Sequence, residues 1–269
     1  MSNKIDYLSA SGIKTYKSCP KKYFYNYISD IEVPEEKTIE HFEIGNTVHD
    51  SIENVLQQDG CLDLSESQLL QSLKLEEEKM DYQYEDNSKV KTCLEFAAKY
   101  ISAYVTSINT VEERMTMNQM GIDFSGYADL IGDVNDNGTV YENTIVDWKT
   151  GKENEEWKEK IQGGIYAKMF REMYGEWPES IHFVYLSEGS KSVHNRVNDG
   201  EVMWNDHQNK YWNEIKNHIS NMTSDAYSDD FEAKPDSSQC YFCDYKFACS
   251  DYIGGEELTP ESVDIGNIL

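Results

Sequence analysis

Near residue 110 the hydrophobic pattern changes period, and that change constrains the fold of this chain more than any other feature. Upstream, apolar residues recur at threes and fours: Val48, Ile52, Val55 and Leu56, then Leu94, Ala97, Ala98, Ile101 and Val105. Such spacing lines one face of a helix. Downstream, "VEERMTMNQ" (111–119) alternates. "IDFSGYADLIGDV" (122–134) and "TVYENTIVDWK" (139–149) then flank Asn135-Asp136-Asn137-Gly138. Asn-Gly between two such runs predicts a β-hairpin, since both residues accept the positive φ that a tight turn demands.

The remaining elements follow from the same logic. Residues 8–28 read as a Ser-capped helix broken at Pro20, followed by an acidic loop over 30–40 and a helix over 45–56. Ser65 and Gln68 form a capping box for a helix to about Met80, and 88–105 is a long buried helix. Trp157, Ile161, Ile165 and Met169 put a helix over 154–174. Strands are expected at 180–187 and 191–197, and a last helix at about 205–222. The class is α+β: helices, a small central sheet, then helices again.

The chemistry gathers on the hairpin. Alternation puts Asp147 and Lys149 on one side of their strand and Trp148 on the other. Asp129 lies on the partner strand, and a bend or a third strand must bring it to Asp147. Two carboxylates that meet form a hard-oxygen site for Mg²⁺ or Mn²⁺. A metal there can hold a phosphate and lower the pKa of an attacking water. Lys149 would orient that water and steady developing charge. Asp-x-Lys alone is also what a solvated ion pair looks like. Gln162 and Tyr166, four residues apart on the next helix, share a face; they are either a polar pair touching the substrate phosphate or Lys149, or a capping or surface Gln beside a core Tyr. His49, beside an apolar stripe, is either a structural histidine or a nitrogen ligand to the same metal.

"CYFCDYKFAC" carries Cys240, Cys243 and Cys249, which need a fourth ligand, and Cys19 in "KSCPKKY" is the candidate. Cys61 and Cys93 read as ordinary thiols. Four thiolates can hold zinc or a [4Fe–4S] cluster. An isolated cysteine plus a compact triplet, each with aromatic neighbours including Phe242, leans toward iron–sulfur. Either group would staple the first helix to the C-terminal segment across a very long loop.

Charge bounds the partners. The chain of 269 residues carries a net −26, which does not favour phosphate backbones. Residues 1–28 are different: Lys4, Lys14, Lys17, Lys21 and Lys22 against Asp6 leave +4, whereas 29–90 carry −13. This basic island is either a solvated helix face or a DNA entrance through Lys14, Lys17, Lys21 and Lys22. No apolar stretch approaches the roughly 20 residues needed to span a membrane, and the N-terminus has no apolar signal core. A cytoplasmic location, in a bacterial or phage-infected cell, is the expectation.

In order, "SASGIKTYKSCPKKYFYNYI", "GNTVH", "GYADLIG", "IVDWKTG", "QGGIYA" and "CYFCDYKFAC" resemble the RecB-like branch of the PD-(D/E)xK nuclease superfamily. The likeness is to its iron–sulfur members: the AddB nuclease domain, the CRISPR-adaptation exonucleases and exonuclease V. It spans residues 9 to about 250. The resemblance implies a restriction-endonuclease-like fold, a mixed central sheet flanked by helices, in which both strands bend around the metal. It implies one nuclease domain over 1–250, with a helical insertion at about 50–108, a catalytic core at about 109–200, cluster segments at 9–28 and 236–250, and a polar tail over 251–269. By the same resemblance His49, Asp129 and Asp147 would ligate Mg²⁺ or Mn²⁺, Lys149 would be the catalytic lysine, and Gln162 and Tyr166 would match the family's Q-x3-Y motif. Cys19, Cys240, Cys243 and Cys249 would hold a [4Fe–4S] cluster. The implied activity is a DNA exonuclease on single strands or ends, in recombination, repair or CRISPR adaptation, acting alone or with a helicase or recombinase. The competing reading is a non-catalytic iron–sulfur DNA-binding module. Intact Asp129, Asp147 and Lys149 speak against it, since a retired site has no need to hold buried charges together.

Overall fold

The fold starts from a capped helix. Ser9 Oγ accepts the Gly12 N–H (3.1 Å) and opens α1 (Ala10–Ser18), and Pro20 at the first position of α2 (Pro20–Tyr27) enforces the break between the two. The computed structural model describes residues 5–33, 39–80, 87–153, 156–198, 200–241 and 243–253. Three helices come next: α3 (Ile39–Leu56), α4 (Glu66–Glu77) and α5 (Ser88–Tyr104). The Ser65–Gln68 capping box is present at α4. The helix read at 45–56 begins earlier, at Ile39, so it takes the end of the expected acidic loop; the middle of that loop lies outside the described residues.

The chain then turns directly from helix to sheet. Val105 leaves α5 in extended conformation and starts β2 (Val105–Gln119), six residues before the alternation becomes visible in sequence. β3 (Ile122–Asp136) and β4 (Thr139–Lys149) form the Asn-Gly hairpin, with positive φ at Asn137 (53°) and Gly138 (85°). α6 (Glu156–Tyr174) crosses back to β5 (Ser180–Tyr185), which lies parallel to β4, and β6 (Ser190–Asn195) pairs antiparallel with β5. A small ribbon of β7 (Val197–Asn198) and β8 (Glu201–Val202) precedes α7 (Lys210–Ser228) and the short α8 (Ser237–Tyr241). The last long helix was expected at 205–222. It starts later because Asn209, whose side chain accepts the Trp212 N–H (2.9 Å), is its cap.

β1 (Tyr7–Leu8) has no signal in its two residues, yet it matters. β2 occupies one edge of β3 along most of its length. The other edge is shared: β1 pairs in parallel with Asp123 and Phe124, and β4 pairs with residues 130–136. Between them no strand among the described residues pairs with that edge of β3, and the sheet splays open.

Two apolar layers clamp the sheet. α3, α4 and α5 bury Val48, Ile52, Leu69, Leu94 and Ile101 against Leu130, Val146, Trp148 and Val184. On the opposite side α1, α6 and α7 bury Ile13, Ile165, Phe170, Ile215 and Met222 against Phe124, Ile131, Ile145 and Phe183. The result is a mixed sheet between helices, the α+β architecture expected from the sequence.

Candidate active site

The catalytic-type residues meet because of a one-residue defect in the hairpin. Near the turn Val134 pairs with Tyr141, but Gly132 pairs with Thr144, so Glu142 and Asn143 oppose Asp133 alone. This is a β-bulge. Asn143 takes φ 51°, a conformation asparagine tolerates, and its N–H donates to Asp133 Oδ1 (3.1 Å). Beyond the bulge the ladder runs to Leu130–Val146 and stops. The next residues are Asp129 on β3 and Asp147 on β4. Where the strands part, Asp129 Oδ2 replaces a backbone partner and accepts the Trp148 N–H (2.6 Å). Register brings the carboxylates together, without the third strand that the sequence left open.

Asp147 is 3% exposed. Its Oδ1 accepts from Gln162 Nε2 (2.6 Å) and lies 3.0 Å from the Tyr166 hydroxyl, and its Oδ2 lies 2.5 Å from Lys149 Nζ. Tyr166 Oη accepts from Gln162 Nε2 (2.8 Å) and is also 2.7 Å from the Tyr127 carbonyl oxygen, so its single proton serves two acceptors. Burial pushes the Asp147 pKa up, with Asp129 adding to the rise and Lys149 opposing it. A buried carboxylate of that kind favours a cation beside it.

Asp129 also faces α3. His49 Nδ1 is 3.6 Å from Asp129 Oδ1. Glu112, on β2 between the pairs Val111–Leu130 and Glu113–Ala128, lies across from Asp129 and has φ 52°. One ligand atom from each of His49, Glu112 and Asp129 falls within 4.8 Å of the others, a set of N and O donors that suits a divalent ion. Sequence reasoning missed Glu112. The visible signal was an acidic residue in an alternating strand, but its place opposite Asp129 comes from the β2–β3 register running out from the turn at Met120 and Gly121, a hairpin the sequence reading did not identify.

Two of these groups, His49 and Glu112, hold protons into the neutral range. Burial alone would lower the His49 pKa, but Asp129 overrides it and the value rises to about 9. Burial and Asp129 push Glu112 up to about 7. A cation taking these ligands at pH 7 must displace protons, so affinity should rise with pH from about 6 to 9. Calorimetric titration of Mn²⁺ in two buffers of different ionisation enthalpy should report release of roughly one proton or more per ion. Identical heats in both buffers would remove His49 and Glu112 from the ligand set.

α6 is held in place by close approach and by a buried polar network. A Cβ on Gly126 would lie 3.4 Å from Tyr166 Cε1, and one on Gly164 would lie 2.5 Å from Tyr211 Cβ. At Gly164 only glycine lets α7 come this near the helix, whereas the Gly126 contact is with side-chain tips that can shift. One turn before Gln162, Glu159 accepts from Tyr185 (2.5 Å) and Ser192 (2.7 Å) and is 2.6 Å from His194 Nε2. Although burial works the other way, these hydrogen bonds keep the Glu159 pKa low. Nothing in the sequence singled this network out.

The four N-terminal lysines do not form one site. Lys14 reaches the centre, donating to Gln162 Oε1 (3.0 Å). Lys17 Nζ sits 4.3 Å from the Trp157 ring centroid, and Lys21 Nζ lies near the rings of Phe24 and Tyr25. Lys21 and Lys22 line a different cavity, together with Cys19, Cys240, Cys243 and Cys249. Those four cysteines are unbridged thiols. Around them Tyr25 donates to the Ala248 carbonyl (3.0 Å), Tyr245 to Asn26 Oδ1 (2.7 Å), and the two rings stack at 5.4 Å. The α2 segment and the residues around Cys240–Cys249 therefore meet at the cysteines. Phe242 and most of the expected tail lie outside the described residues. Cys61 and Cys93 are buried in the α3–α5 layer, away from this cavity.

A mixed sheet that splays at an Asp/Asp-x-Lys corner, with a Gln and Tyr from the following helix on the second Asp, defines a nuclease of the restriction-endonuclease-like class. The chain belongs to the PD-(D/E)XK nuclease superfamily, whose family profile matches residues 7–250. Among solved structures it is similar to a "Putative exonuclease" from Eubacterium rectale, at 18% identity and a TM-score of 0.54, over 97% of this chain and 94% of that one. That likeness is one of fold. A weaker one, to SSO0001, has 12% identity and a TM-score of 0.38 over 92% and 87% of the two chains, and carries no argument. No curated protein matches the chain.

Proposed function

We propose that this nuclease is a divalent-metal-dependent deoxyribonuclease, acting as an exonuclease on single strands or DNA ends. The observation that supports this most is the corner where Asp129 and Asp147 are adjacent, with Lys149 Nζ 2.5 Å from Asp147 Oδ2. Asp129, Asp147, His49 and Glu112 are the residues that would hold Mg²⁺ or Mn²⁺. Bound there, the ion would supply Lewis acidity to the phosphate and a water of lowered pKa. Lys149 would position that water and offset charge on the phosphate oxygens, while Gln162 and Tyr166 would fix the Asp147 carboxylate.

The four cysteines would hold a [4Fe–4S] cluster. The donor set fits: four thiols share one small cavity, and its rim carries Lys21, Lys22, Lys234 and Lys246, which offset an anionic cluster. Its role would be structural. The domain would run over 1–250. The setting we favour, from the sequence resemblance, is recombination and repair or CRISPR adaptation, with a helicase or recombinase as protein partner. Among the described residues no helix is long and apolar enough to cross a membrane.

The test is cleavage of end-labelled single- and double-stranded DNA with Mn²⁺, Mg²⁺ or EDTA. Metal-dependent cutting from an end, stopped by EDTA, is the expected result. No cutting of any substrate by cluster-loaded protein would instead favour the binding-module reading.

A further inference from the structure

We propose that Lys14 is a second phosphate-binding cation of the reaction centre, gripping the scissile phosphate together with Lys149. This rests on the nuclease reading above and adds a residue that the Asp-x-Lys corner does not contain. The geometry is set by Gln162. Its Nε2 is committed to Asp147 Oδ1 at 2.6 Å, so its Oε1 must face away from that carboxylate. That one oxygen receives Lys14 Nζ at 3.0 Å and Lys149 Nζ at 3.3 Å. Two ammonium groups on a single amide oxygen repel each other, and one neutral acceptor does not offset both charges.

The two lysines are not equivalent. Lys149 also has the Asp147 carboxylate. Among the described residues Lys14 forms no ion pair, and it is half-buried. Burial and the nearby Lys149 hold its pKa down at about 7, a cost that an adjoining anion would reverse. A phosphate at the Asp129–Asp147 corner would meet Lys149 from β4 and Lys14 from α1. Lys17, one turn further along α1, is engaged by the Trp157 ring. The helix therefore delivers one lysine, not a basic face.

The experiment compares wild-type protein with Lys14→Met and Lys14→Arg on a labelled single-stranded oligonucleotide. Single-turnover cleavage with Mn²⁺ should fall about 10²-fold in Lys14→Met and recover in part in Lys14→Arg. With Ca²⁺ in place of Mn²⁺, the salt dependence of oligonucleotide binding should lose about one unit of slope in Lys14→Met. Mn²⁺ binding without DNA should be unchanged or tighter, because a cation near Asp147 has gone. A Lys14→Met enzyme with wild-type rate and slope overturns the inference. So does a loss of rate matched by weakened Mn²⁺ binding or a collapsed melting transition. If the wild type binds DNA but never cuts it, the nuclease reading fails while the slope still tests the grip. If it neither binds nor cuts, both fail.

Discussion

Asp147→Ala should abolish metal-dependent cleavage, by on the order of 10³-fold or more, while the protein stays folded. The carboxylate is 3% exposed and holds Gln162, Tyr166 and Lys149 around it. Its charge is disfavoured by burial, so its removal relieves one cost of folding even as it leaves Lys149 without a partner. The two effects oppose, and the melting temperature should move by only a few degrees. Lys149→Met should also lose cleavage but should bind Mn²⁺ at least as well as wild type, since a cation next to a ligand has gone. Rate assays beside Mn²⁺ titrations separate the roles. An Asp147→Ala protein that keeps a tenth of its activity would sink the assignment of this corner as the place of hydrolysis.

Cys240→Ser should act on the fold. Cys19 and Cys240 are separated by 221 positions in the chain and line one cavity. A group bound by four thiolates there closes a very long loop, and its binding free energy is folding free energy. Loss of one ligand should lower the melting temperature by on the order of 10 °C and open the C-terminal segment to protease. Anaerobically prepared wild type should be brown with iron bound, and the variant should be bleached. Cys93→Ser is the control, because Cys93 lies in the α3–α5 layer and should leave the iron content unchanged. Colourless protein with one zinc per chain would replace the cluster but keep the staple. A variant as stable as wild type would end the staple idea.

Much of this was legible in the sequence for physical reasons that can be named. The hairpin was visible because Asn-Gly and period-two alternation are local. Helices α4 and α5 were visible because capping and three-four spacing are local. Gln162 and Tyr166 were visible as a pair because helical geometry fixes their relation. Glu112 and Lys14 were not visible in their places. Glu112 reaches Asp129 through the register of the β2–β3 hairpin, whose turn the sequence reading did not identify, and Lys14 reaches Gln162 across 148 positions of sequence. The Glu159–His194 network had no signal either, since its members come from α6, β5, β6 and α7 and meet only in the packed core. Strand β1 was too short to announce itself, and its value lies in where it leaves β3 uncovered.

The bulge at Glu142–Asn143 has a consequence for how this hairpin can change length. It acts as a phase shifter: with one residue of β4 looped out Asp147 arrives beside Asp129, and an unbulged ladder through the same residues would bring Val146 there. Insertions at the Asn137–Gly138 tip leave that count untouched. Between the tip and the corner, a single added residue that paired in the ladder would bring Val146 beside Asp129 and send the acid to the other side of the sheet, whereas a single deletion can be absorbed by loss of the bulge with Gly132 still opposite Thr144. Active chains with this hairpin should therefore vary freely at the tip, and below it should tolerate loss of the bulged residue more readily than an unmatched addition.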